Sequence, residues 1–462
     1  MRMVANVKTL PHEPSASAAV ETDSQRRCER VLDMLLTQRG YASAEAERLL
    51  ADDPGSVFGY CLRAALIVRA ESAASRSALT ASIAAIEAAC PDAGDPVRRH
   101  ALAARAWLDG DSAHAVALYG AILIDSPHDV LALAVAHALD FHLGRRRVMR
   151  DRIAKVLPHW TAKRPGYASV LAMYAFALEE NGQYRRAEKI ARRALALDPG
   201  HPGAIHVIAH VMEMQGRVDD GLAFLAAAES AWGEGTGLSV HLAWHRALFH
   251  LDANNAEGAL AIYDARIATA GRADKAALAD GSALLWRLQL QDVDVGDRWR
   301  LLADRWAMHK LADSRPFYVV HAIMAIVAAR RPAAAMRLVE ALPSTEGNKA
   351  SSAHPEDALA APLCEALLAF ARSDYAACVE WLKRVRHIAH RCGGSLAQCD
   401  VIHLTLTEAA LRARQARLAH ALVAERTARK PASRLNRWLK QRLVTVPRQR
   451  EWRAENAVAL LM

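Results

Sequence analysis

Four consecutive stretches of this 462-residue chain repeat one arrangement of small residues at an interval close to 34. In 96–129 the markers are Ala103, Gly110, Ala115 and Pro127. In 168–201 they are Ala175, Gly182, Tyr184, Ala187, Ala191, Ala194 and Pro199, and in 202–235 Ala209, Gly216, Gly221 and Ala228. The 130–163 stretch keeps Gly144, carries His137 where its neighbours have Ala, and is followed by four extra residues. Alanine at fixed places lets two helices approach closely. Glycine at the turn takes a left-handed backbone conformation without steric cost, and proline near the end stops the second helix.

An interval of 34 with this chemistry is the tetratricopeptide pattern of stacked helix–turn–helix units. It predicts an all-α, right-handed α-solenoid, with curvature that could close it on itself around a concave pocket. The apolar fraction of 52% draws heavily on Ala and Leu, as helices require. No βαβ pattern or glycine-rich phosphate loop is present. The expected organisation is a disordered leader over 1–25, degenerate helical hairpins over 26–95, the repeat array over 96–342, a loop over 343–357, and further hairpins with a basic tail over 358–462. Past residue 236 the repeat markers loosen while helical patterning continues.

Several classes are disfavoured. No apolar run reaches the roughly 18 residues that span a bilayer, so no membrane partner is expected, and the opening segment is too weakly apolar for a signal peptide. The seven cysteines at 28, 61, 90, 364, 378, 392 and 399 form no CxxC pair, which points to a reducing, cytoplasmic setting. The net charge of +9 gathers partly in RTARKPASRLNRW, read as a solvated basic face. With no accompanying motif, nucleic-acid binding is not expected.

Two histidine doublets carry the candidate chemistry. His206 and His210 stand in AIHVIAHVMEMQG, and His241 and His245 in SVHLAWHRALFH, 35 residues on. Positions i and i+4 share a helix face, so both pairs are assigned to first helices, in matching places once one inserted residue is allowed. Glu213 lies one turn past His210, with Phe176, Glu179 and Glu180 at comparable places in the preceding unit. Asp280, Arg287 and His321 are the additional polar candidates further along, and Trp244 an aromatic one.

Three readings stay open. The four imidazoles could ligate a metal, which needs three or four donors about 2.0–2.2 Å from one ion. His210 or His245, held in one tautomer by Glu213 or Asp280, could act as acid and base without metal. Or the histidines are packing and hydrogen-bonding residues lining a binding groove. No serine, cysteine or threonine is visibly paired with a base, and no cofactor is called for. His137 and Asp140, three apart, are expected to bond to each other or to the backbone. Tyr174, Trp244 and Trp286 also fit as anchors of hairpin packing, and Ser395 and Asp400 as caps at a helix entry.

The phrases RVMRDRIAKVLPHW, RPGYASVLAMYAFALEENGQYRRAEKIARRAL, AIHVIAHVMEMQGR, WHRALFHLD, ALADGSALLWRLQL and RCGGSLAQCDV resemble the tetratricopeptide repeat protein 38 family across roughly residues 100–430. The resemblance implies a cytosolic helical-repeat protein without an assigned activity. It places His206, His210, Glu213, His241, His245, Asp280, Arg287, Gly393, Gly394, Ser395 and Asp400 in family-like phrases. The resulting expectation is a binding protein for a peptide, a protein or a small acidic ligand, in the manner of a homodimer-forming repeat array. The alternative is an enzyme or metal protein using the histidines.

Overall fold

The computed structural model describes residues 22–70, 75–92, 94–271, 274–311, 314–342 and 359–445. Among them the chain is all-helical, with a single bridge between Arg39 and Thr236. The expected loop 343–357, most of the leader and the far end of the basic tail lie outside the described residues. The first helix, Asp23–Thr37, begins inside the stretch read as leader. Thr22 and Gln25 form a capping box that satisfies two amide groups there, which fixes the start of this helix.

Two compact units divide the chain. The first comprises Met1–Val211 and Ala227–Ser239, the second Met212–Ala226 and Val240–Met462. The division falls inside the Pro202–Gln215 helix. In the first unit the N-terminal hairpin is tied to the repeats of the same unit. Arg39 makes a two-armed ion pair with Asp198 (2.9 Å each), and Gly40 N–H donates to the Gly235 carbonyl at 2.7 Å.

Among the described residues, nine hairpins turn in the same way. The turn residue takes a left-handed φ between 55° and 91°, at Gly110, Gly144, Gly182, Gly216, Asn254, Asp292, Arg330, Ser373 and Arg414. Its N–H donates to the carbonyl three residues back, and the following N–H to the carbonyl five back. Gly110 and Asp111 reach Trp107 and Ala106, as Arg330 and Arg331 reach Val327 and Ile326. This Schellman closure satisfies carbonyls that the helix end leaves without partners. The loosening past residue 236 is therefore a loss of glycine and not of geometry.

Five positions past the turn, the second helix presents a small buried residue: Ala115, Ala187, Gly221, Ala259, Ala335, Cys378 and Ala419. The 130–163 hairpin instead buries Met149 there, and the hairpin turned at Asp292 has the exposed Asp297. Gly221 shows how tight the approach is, since a methyl group there would meet the Phe249 ring at 2.2 Å.

The second unit packs a continuous apolar core around Trp244, Trp286, Trp306 and Phe370. Trp286 donates its indole N–H to Thr405 Oγ1 (2.9 Å) and Trp306 to Ser282 Oγ (3.0 Å), so these two rings are buried with their polar ends satisfied, whereas the buried Trp244 indole N–H has no hydrogen-bond partner among the described residues. Near the C-terminus the chain crosses over Gly216, where an added Cβ would lie 2.7 Å from Ser433 N and 2.9 Å from Ala432 C. Asp252 anchors this crossing by accepting from Ser433 Oγ (2.6 Å) and Leu435 N (2.8 Å).

Candidate functional site

His206 and His210 belong to the first unit, and His241 and His245 to the second. Counted from the Schellman turn, His206 and His210 stand ten and six residues before Gly216. His241 and His245 stand thirteen and nine before Asn254. The registers thus differ by three residues, nearly one helical turn, and the single inserted residue does not align them.

In the first unit, the His206 and His210 rings lie edge to face with centroids 4.4 Å apart. Phe176, from the Tyr167–Glu179 helix, stacks on His206 at 5.7 Å and meets His210 edge-on at 5.6 Å. Glu179, the last residue of that helix, sets Oε2 3.2 Å from His210 Nδ1, and neither side chain reaches solvent. Glu180, its C-cap, is also buried, with Arg146 Nε 2.9 Å from its carboxylate.

His137 is half-buried. Burial first, then the nearby Arg69 charge, pushes its pKa down to about 3, so it is neutral at pH 7. Asp140 does not bond to it, because Arg152 holds that carboxylate from the next helix at 2.8 Å. Tyr174 accepts a hydrogen bond from Arg186 at 3.1 Å, as a packing anchor would.

The second unit holds two histidine–carboxylate pairs on successive turns of the Ser239–Asp252 helix. His241 Nδ1 lies 2.8 Å from Asp280 Oδ2, and His245 Nδ1 2.9 Å from Glu213 Oε2. The first contact favours a proton on Nδ1 of neutral His241. Burial works against charging His241, but Asp280 outweighs it and raises the pKa above the ordinary value. The ring also stacks on Trp244 (5.2 Å, 15°). Asp280 is steadied on its other oxygen by Gln398 Nε2 at 3.2 Å. Gln398 itself belongs to the capping box that Ser395 forms at the start of the Leu396–Arg412 helix.

His321 has the opposite character. Its Nδ1 sits 2.7 Å from the Phe317 carbonyl, and burial pushes its pKa down to about 4.

Arg287 is the most unusual group of this unit. It is 4% exposed, and burial lowers its pKa. Its hydrogen bonds go to two main-chain carbonyls, Ala283 at 3.0 Å and Ala397 at 2.7 Å, and its guanidinium lies 5.5 Å from the Trp244 ring centre. Among the described residues no carboxylate comes within 4.0 Å of it. It lines a cavity of about 40 Å³ together with Glu213, Asp252, Asp400, Arg426 and Lys430. That volume is enough for a few water molecules or the oxygens of one acidic group.

The remaining charges of the cavity are matched except Asp252, which accepts from Ser433 Oγ and Leu435 N. Arg426 grips Asp400 with both arms (2.7 and 3.1 Å), and Lys430 reaches Glu213 Oε1 at 3.0 Å. Burial opposes the charged form of Asp400, yet Arg426 and Lys430 hold it far below the usual carboxylate range. The segment RTARKPASRLNRW is therefore no uniformly solvated face, because Arg426 and Lys430 are largely buried ion-pair partners. Sequence reasoning missed both, since Lys430 meets a carboxylate 217 residues away.

The fold and these sites define an all-helical repeat protein. A family described as tetratricopeptide repeat matches residues 178–231. Among solved structures the chain is similar to the human IFIT1 dimer with PPP-AAAA, at 14% identity and TM-score 0.37, covering 92% of this chain and 95% of that one. It is also similar to Naa15/Naa10 bound to HypK-THB, at 14% identity and TM-score 0.26, covering 90% of this chain and 65% of that one. Among the described residues no helix is long and apolar enough to cross a membrane.

Proposed function

We propose that the protein is a helical-repeat binding protein whose second unit receives the carboxylate of a peptide or small acid beside Arg287. The observation that carries this reading is Arg287 itself. Taking a guanidinium out of water costs several kcal/mol unless a charged partner offsets it, and main-chain carbonyls, an indole face and the more distant charges of Asp400, Glu213 and Asp280 offset it only in part. A two-oxygen anion supplies the missing partner, and the planar fork of arginine suits a carboxylate. His241, charged more readily than an ordinary histidine, adds to the positive character of the same unit. On the same footing we assign the chain to the tetratricopeptide repeat protein 38 family, to the cytoplasm and to a homodimeric state.

A second reading rests on the His241–Asp280 contact. A carboxylate that fixes the imidazole tautomer is the arrangement of a general base, and His245–Glu213 repeats it one turn on. In this reading the bound acid is a substrate.

Binding is tested by calorimetry on the full chain, with short peptides ending in a free carboxylate or in an amide. The free carboxylate should bind and the amide should not. Arg287→Met should abolish binding and raise the melting temperature, because it removes a buried charge whose burial outweighs the attraction of the nearby carboxylates. Equal binding of both peptides, or unchanged binding by the variant, overturns the reading. Conversion of the peptide, lost in His241→Gln, would favour the second reading.

A further inference from the structure

The first unit contains a cluster independent of that cavity. Glu179, Glu180 and His210 bring two carboxylates and an imidazole together, with one donor atom from each lying within 4.8 Å of the others. All three side chains are buried. We propose that they bind a divalent transition-metal ion, with His206 as the candidate fourth donor.

Three observations support a cation at this place. The first is position along the helix. Glu179 ends the Tyr167–Glu179 helix and Glu180 is its C-cap, where the carbonyl ends of the peptide dipoles are already negative. Carboxylates are disfavoured there and cations favoured, so two adjacent glutamates at this end call for positive charge. The second is burial. An ionised carboxylate out of water is stable only when paired or coordinated, and Glu179 and Glu180 are both buried.

The third is spacing. Two ligands at about 2.1 Å from one ion sit about 3–3.4 Å apart in neighbouring coordination positions, and Glu179 Oε2 lies 3.2 Å from His210 Nδ1. Glu180 can keep Arg146 on one oxygen and offer the other to the ion. That is the usual arrangement of a ligand carboxylate steadied by an outer partner. The His206 ring lies beside that of His210, with centroids 4.4 Å apart. Carboxylate and imidazole together suit Mn²⁺, Fe²⁺ or Zn²⁺ rather than a thiolate-seeking ion.

The competing occupant is a proton. His210 charged by one proton would form an ion pair with Glu179 and satisfy the same carboxylate. The two are separated by measuring bound metal in the full-length protein purified without chelator, then titrating chelator-stripped protein with Zn²⁺, Mn²⁺ and Co²⁺. The expected result is saturation at one ion per chain, a visible Co²⁺ absorption band, and a higher melting temperature with metal. Glu179→Gln should weaken binding by about 10–100-fold or more. Wild-type protein that takes up no metal above a buffer blank, and gives no Co²⁺ band, overturns the proposal even if the variant fails to fold. Metal uptake unchanged in folded Glu179→Gln overturns it as well.

Discussion

The early hairpins, turned by Gly110, Gly144, Gly182 and Gly216, and the later ones, turned by Asn254, Asp292, Arg330, Ser373 and Arg414, close with the same two backbone bonds. The difference lies in who bears the strain. Glycine enters the left-handed region freely, whereas a side chain there costs about 1 kcal/mol. The later hairpins accept that cost because the flanking helices are clamped by the packing of a continuous core. Turn sequence is thus optional where packing is strong.

The comparison can be broken most forcefully at Gly216. Gly216→Ala should destabilise the chain by about 3 kcal/mol, since unfavourable φ adds to a collision with the main chain of Ala432 and Ser433. Chemical denaturation measures this. Gly110→Ala, with nothing within 4 Å of the new methyl, should cost only about 1 kcal/mol. Equal costs would mean that the crossing over Gly216 yields easily.

The reverse substitution sharpens the comparison. Arg330→Gly should stabilise by up to about 1 kcal/mol, and Asn254→Gly by a few tenths, because asparagine tolerates this conformation. A loss of stability in Arg330→Gly would show that its side chain contributes more than its backbone costs.

The comparison extends to pH, where the histidines oppose each other. His201, His321 and His137 have folded pKa values of about 4, 4 and 3, set first by burial. They bind fewer protons folded than unfolded, where histidine titrates near 6.5, so their contribution is present above about 6.5 and lost as pH falls toward 4. His241 is raised, so its contribution is present below about 6.5 and lost as pH climbs through its folded value. Stability measured from pH 4 to 9 should rise and then decline. His321→Gln should flatten the rise and His241→Gln the decline.

The same comparison explains what could be read in advance. The helical-repeat fold was legible because glycine, alanine and proline recur at fixed places in 96–235. The later turns were not, because αL asparagine, aspartate, arginine and serine carry no clear local mark. A usable signal was the small residue five positions on, at Ala259, Ala335, Cys378 and Ala419. The site was legible as residue types and not as partners. A helix face can be counted along the chain, so His206 with His210 and His241 with His245 were visible as pairs. Which carboxylate meets which imidazole depends on packing between helices, so Glu179 beside His210 and Asp280 beside His241 were not. Nothing in the string distinguishes buried Arg426 and Lys430 from their exposed basic neighbours.

The crossing over Gly216 also sets a schedule for the molecule's birth. The ribosome releases Lys430 and Ser433 more than two hundred residues after Glu213 and Gly216, which at 5–20 residues per second is a wait of roughly 10–40 s. Through that interval the segment that begins the second unit exists without the strand of chain that will cover it. A product truncated before residue 430 never receives that cover, and should be recognised by chaperones and proteases as unfinished.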